Sequence, residues 1–166
     1  MSTVLNTYIL NGLFDSGDLK VFKFSKSGNF KNYFFSPNIS IKLFSPRITW
    51  MEGHCVSFSF QKYAIIEGNK VISTDNLNLL NLLRNTNEKL LLVYNEYKEK
   101  YGHDSGILQP CLFYEKDDHF YIKCNIPNKH IKPQLNYTYT SAIVDIRNIW
   151  ETSNKIGFRL ELKTCE

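Results

Sequence analysis

Rings and ammonium groups interleave along this chain at Phe22-Lys23-Phe24, Phe30-Lys31-Asn32-Tyr33 and Tyr121-Ile122-Lys123, and rings alone repeat at Tyr137-Thr138-Tyr139. A ring on the wet face of a strand can stack under a nucleobase, worth about 1–3 kcal/mol per base, and every base offers such a face. A lysine beside it neutralises phosphate without reading sequence. The densest instance is FKFSKSGNFKNYFF, Phe22 to Phe35, which holds six rings, three lysines and no acid. The same rings also suit the core of a small β-domain, which needs large side chains to fill it. Each ring is therefore open to both readings, core and stacking surface.

Other chemistries find no residues to carry them. No glycine-rich phosphate loop of either the P-loop or the dinucleotide-binding type occurs. Gly102-His103-Asp104-Ser105-Gly106 sets a serine between glycines, but it follows a helical pattern without the strand–turn–helix context of a nucleophile elbow, and it reads as a turn. Cys111, His119, Cys124 and His130 lack the close cysteine pair of structural zinc sites, and Cys124 falls in an apolar phase where free cysteine packs. Asp117-Asp118 reads as a hairpin tip rather than a metal ligand set. The expectation is a protein with no catalysis, metal or cofactor.

Charge is segregated. The chain of 166 residues carries a net charge of +4, yet Leu19 to Met51 contains no Asp or Glu and holds Lys20, Lys23, Lys26, Lys31, Lys42 and Arg47. A second acid-free window, His119 to Val144, holds Lys123, Lys129 and Lys132. Such windows suit a polyanion, and they equally suit a solvated face balanced by acids elsewhere. Aromatic residues make up 14%, part of which can reflect a coding bias that also enriches Asn, Lys, Tyr and Ile.

The elements that must position these residues are mostly strands. Ile39, Ile41 and Leu43 alternate with Lys42; Val56, Phe58 and Phe60 with serines; Phe120, Ile122, Cys124 and Ile126 with Tyr121 and Lys123; Ile156, Phe158, Leu160 and Leu162 with Arg159 and Glu161. Each has one wet face, as antiparallel sheets and barrels have. The apolar phase slips at Tyr63 and Ile65, which predicts a bulge near Lys62. Between about residues 75 and 101 the period becomes helical. A short helix from about Asp75 to Arg84 is predicted, then a second capped by Thr86 or Asn87. The second carries a core stripe of Leu90, Val93, Tyr94, Tyr97 and Tyr101 and ends at Gly102. No linker divides residues 1–166, so a single domain is expected.

The C-terminal third adds a pattern of its own. ILQPCLFYEKDDHFYIKCNIP and SAIVDIRNIWETSNKIGFRLELK resemble the closing strands of viral and phage OB-fold single-stranded DNA-binding proteins. In that family a short acidic turn precedes a strand like Phe120-Tyr121-Ile122-Lys123, a later strand ends at an aromatic like Trp150, and a Lys-x-Gly loop like Lys155-Ile156-Gly157 leads into the last strand. The resemblance covers roughly the last 57 residues. It implies an antiparallel OB-like barrel, into which the helical stretch read from periodicity is an insertion of one or two helices, with Tyr121, Lys123 and Arg159 on DNA-facing strands and Trp150 near the groove or barrel end.

The combined expectation is a mainly β, single-domain protein that coats single-stranded DNA without sequence preference during viral DNA replication or recombination. Its candidate contacts are Lys23, Lys26, Phe30, Lys31, Tyr33, Lys42, Arg47, Tyr121, Lys123, Tyr137, Tyr139, Trp150 and Arg159. RNA stays open as ligand because no residue pattern reads a 2′-hydroxyl. Replication proteins and a second copy are further partners this reading admits. The alternative is a β-rich viral accessory or structural protein that binds another protein through its aromatic surface. Few, unpaired cysteines and an N-terminus without a basic start or cleavage pattern predict a reducing, intracellular compartment, the nucleus or cytoplasm of an infected cell if viral, and no membrane.

Overall fold

The structure is a computed structural model that describes residues 2–5, 19–104 and 106–166. Strands β1 (Ser2–Leu5), β2 (Lys20–Ser27), β3 (Phe30–Phe44), β4 (Arg47–Glu52) and β5 (Cys55–Gln61) come first. A small hairpin follows, β6 (Tyr63–Ile66) and β7 (Asn69–Ile72), then helix α1 (Thr74–Lys100). Strands β8 (Tyr114–Lys116), β9 (His119–Asn125), β10 (Ser141–Glu151) and β11 (Ile156–Cys165) complete the described chain.

The main sheet is mixed and runs β1-β3-β10-β11-β9-β5-β4, with β2 beside β3 and β8 beside β9. This path is open, so the sheet is not a closed barrel, and it is not purely antiparallel: β1 lies parallel to β3, and β11 parallel to β9. The β9–β11 contact is a single rung, Glu161 with Asn125, because β8 occupies the same edge of β9 over His119 to Tyr121. Beyond the named strands, residues 136–140 bond backbone to backbone with Ser45 and Ile48, following the bend from β3 into β4.

Local sequence explains the breaks. Gly28 at φ +60 opens a two-residue turn with Asn29 that joins β2 to β3, as hairpin twist requires. Pro37, without an N–H, falls where β3 exchanges β2 for β1 as its neighbour and where the β10 register shifts. The phase slip at Lys62 is a strand break rather than a bulge: the Lys62 N–H donates to the Asp118 carbonyl, and the chain leaves the sheet for the β6–β7 hairpin.

The helical region is one uninterrupted helix, not two. Thr86 does not cap a second helix. It is buried mid-helix with its Oγ1 donating to the Leu82 carbonyl, and Asn87 Oδ1 instead accepts from the Leu112 N–H. Leu79, Leu82, Leu83, Thr86, Leu90 and Tyr94 form the buried stripe. Gly102 at φ +66 ends the helix, with His103 N–H donating to the Lys98 carbonyl and Gly102 N–H to that of Glu99, a Schellman pairing. The stripe packs into one core with Tyr33, Phe35, Ile39, Phe58, Phe120 and Leu162. Among the described residues no helix is long and apolar enough to cross a membrane.

Candidate nucleic-acid interface

The pleat of β4, β5 and β9 lines up side chains across the outer face of the sheet. Register places Trp50 opposite Ser57, and Ser57 opposite Lys123. The Lys123 ammonium lies 4.4 Å from the Trp50 ring centroid. No described carboxylate forms an ion pair with Lys123. The next row runs Arg47, Ser59, Tyr121, Tyr114. The rings of Tyr114 and Tyr121 stack at 4.9 Å, and His119 continues the stack on Tyr121 at 6.2 Å. Ser57 and Tyr114 join hydroxyls at 3.3 Å, which fixes Tyr114 over the face.

A second aromatic wall stands across the gap that β9 and β11 leave below their single rung. Trp150 pairs with Gly157, and the indole lies flat on the glycine backbone: a Cβ there would meet Trp150 Cζ2 at 2.8 Å. Phe30, at the start of β3, stacks on Trp150 at 6.0 Å with ring planes 9° apart. Between the walls lies a groove of about 370 Å³ lined by Cys55, Cys111, Tyr114, Lys123, Trp150 and Gly157. Its mouth is aromatic on both sides, its cation is unpaired, and Phe30, Trp50 and Tyr114 are all exposed.

The residues expected from sequence divide by strand face. Tyr121, Lys123, Trp150 and Phe30 fall on or beside this groove, whereas Arg47 lies two strands away on β4, in the row of Tyr121. Lys23 shares the Phe30 face through its register with Phe34 and lies 5.4 Å from that ring. Lys26 and Lys31 pair with each other on the opposite face, where Lys31 lies alongside Glu151. Tyr33 must be withdrawn as a stacking residue: it is 0% exposed, packed between Tyr94 and Tyr97, with no ring face to offer a base. Lys42 sits over Phe44 beside the helix N-terminus, sharing a cavity with Ser73 and Asp75. Tyr137 and Tyr139 lie on the segment bonded to the free edge of β4, where Tyr139 accepts from the Gln134 N–H. Arg159 lies on β11 between Gly157 and the rung, paired with Glu161, and lines the neighbouring cavity rather than the groove.

Sequence reasoning passed over Trp50 and Tyr114. Trp50 follows a register shift between Ile48 and Trp50, so alternation from Ile48 gives it the wrong face. Tyr114 precedes the acidic turn at Asp117-Asp118, and its position opposite Tyr121 was a usable signal.

A buried polar cluster anchors the helix behind the groove. Lys98 Nζ contacts Glu151 Oε1 at 2.9 Å and Tyr94 Oη at 3.2 Å, and the Tyr94 hydroxyl donates to the same carboxylate. Burial holds the Glu151 carboxyl above the ordinary carboxylate range and the Lys98 ammonium below the ordinary lysine range. Nearby, Tyr33 Oη meets His103 Nδ1 at 3.0 Å. Burial lowers the His103 pKa and raises that of Tyr33, so a neutral imidazole meets a protonated phenol. Among the described residues no group of three His, Cys, Asp or Glu is placed to hold a metal ion, and burial pushes the Cys124 thiol pKa up. No protein-family model matches the chain, and no curated protein is significantly similar to it.

Proposed function

We propose that this protein binds single-stranded DNA along the groove between Trp150 and Tyr114 and coats it without sequence preference, in DNA replication or recombination. The observation that carries the reading is the pair of aromatic walls, Phe30–Trp150 and Tyr114–Tyr121, on either side of the unpaired Lys123. Rings supply stacking surface for any base, and the ammonium supplies a phosphate contact. Neither selects a sequence, and the binding needs no metal or cofactor.

The strand arrangement supports an OB-like reading of the fold. Residues 30–52 run as β3 and β4 with a bend at Ser45 and Pro46, and residues 136–151 follow that bend with backbone bonds along both parts. β5, β9 and β11 carry the path onward, with β9 and β11 side by side and parallel. We read these five runs as an OB-like barrel whose last seam is one rung wide.

Oligonucleotide binding measured against salt tests the proposal. An unstructured single strand is expected to bind at least about tenfold tighter than a duplex of equal length, since paired bases cannot stack on protein rings. Its log K is expected to fall linearly with log salt. Duplex binding as tight or tighter leaves only a basic surface and sinks the stacking groove. The alternative, a protein-binding accessory module, draws on the β6–β7 hairpin, whose Ile65, Ile66, Val71 and Ile72 are exposed; oligonucleotides left unbound would select it. RNA and DNA strands compared in the same titration decide between those two ligands.

A further inference from the structure

A cavity of about 560 Å³ lies not in the groove but beyond the Glu161–Asn125 rung. Its size falls in the range of about 300–1,000 Å³ that small-ligand sites occupy. Its apolar lining comes from Met51, Ile126, Pro127, Ile131 and Pro133, and its rim carries Lys129, Lys132 and His54. Its one lining carboxylate, Glu161, is held by Arg159 at 3.2 Å and Arg147 at 3.6 Å, so its charge is already matched. Lys129 and Lys132 pair with no described carboxylate.

The cleft is fixed before any ligand arrives. Ile126 N–H donates to the His54 carbonyl at 2.7 Å, tying the loop after β9 to the β4–β5 turn. His130 N–H donates to Asn128 Oδ1, and Ile131 N–H to the Asn128 carbonyl, which shape the loop that presents both lysines. Asn125 lines this cleft and the groove alike, so the two adjoin at that residue.

Resting on the proposed groove, we infer that this cleft is a second nucleotide subsite on the same DNA strand. A base lies against the Met51–Ile126–Pro133 lining and flanking phosphates meet Lys129 and Lys132. An apolar box rimmed by uncommitted cations fits an aromatic anion, and its adjacency to the groove at Asn125 makes the next nucleotides of the bound strand its occupant. The footprint of one protein is therefore longer than the aromatic groove alone.

The test compares a six-nucleotide and a sixteen-nucleotide oligothymidylate on the wild type, a Lys129→Ala/Lys132→Ala variant and a Trp150→Ala variant. Thermal melts check that each variant is folded. The double variant is expected to lose about tenfold affinity for the long strand and to keep the short one within about twofold. Its salt slope on the long strand falls by about 1.4, two phosphates at ~0.7 each. Trp150→Ala weakens both lengths. A double variant that binds the long strand like wild type, or weakens both lengths equally, overturns the second subsite while leaving the groove standing. Wild type that binds neither length overturns both.

Discussion

At the scale of single residues, the groove depends on a missing atom. Gly157 has no Cβ, and one placed there would meet the Trp150 ring at 2.8 Å. Gly157→Ala is therefore expected to lift the indole off β11 and break its stack with Phe30. Single-strand affinity should drop about 5- to 150-fold, the worth of one stacked base, with the salt slope unchanged. Tryptophan fluorescence in a Trp50→Phe background reports the displacement, and an unshifted spectrum with full affinity refutes the role given to Gly157. Strand parity decides which side chains sequence could place. Tyr121 and Lys123 were legible because β9 alternates without interruption from Phe120 to Cys124. Tyr33 was not, because Phe30 and Tyr33 are separated by an odd step in β3 and so take opposite faces, one stacked on Trp150 and the other sealed under the helix. Composition gives the same weight to both rings.

At the scale of elements, the helix and its exit show what periodicity can and cannot read. The stripe through Leu90, Val93, Tyr94 and Tyr97 was visible as core and Gly102 as its end, but Tyr101, read as part of the same stripe, is 55% exposed. The continuity across Thr86 was not, because a buried threonine that bonds back to Leu82 has the same letter as one that caps. The β6–β7 hairpin was missed for a related reason: its apolar residues look like a strand continuing β5, yet they belong to a separate ladder. The helix exit also makes stability depend on pH. His103 pairs with the Tyr33 hydroxyl, and burial lowers its pKa below that of the unfolded chain. As pH falls below about 6.5, the unfolded state takes up this proton more readily than the folded state, so stability declines. Chemical denaturation is expected to show wild type losing this part of its stability as pH falls below about 6.5, whereas His103→Gln, which has no titrating ring, keeps a flatter profile. Parallel profiles for the two proteins contradict the assignment.

At the scale of the whole molecule, alternation was enough to read a mainly β chain with one helical interruption. It could not read which strands meet. The single parallel rung between β9 and β11 joins residues far apart in sequence, and no local pattern encodes it. The acid-free windows were also visible, but the fold disperses their lysines: Lys23 reaches the Phe30 face, Lys26 and Lys31 the reverse, Lys42 the helix N-terminus, and Lys129 and Lys132 the far cleft. The groove's position on the outer face has a topological consequence. A ligand held against an exterior surface, with Phe30, Trp50 and Tyr114 open to solvent, is laid on from the side and need not be threaded by an end. A covalently closed circle of single-stranded DNA should therefore bind as fast and as tightly as the same sequence cut once, within about twofold by stopped-flow mixing. A protein that encloses its strand would instead wait for the nick.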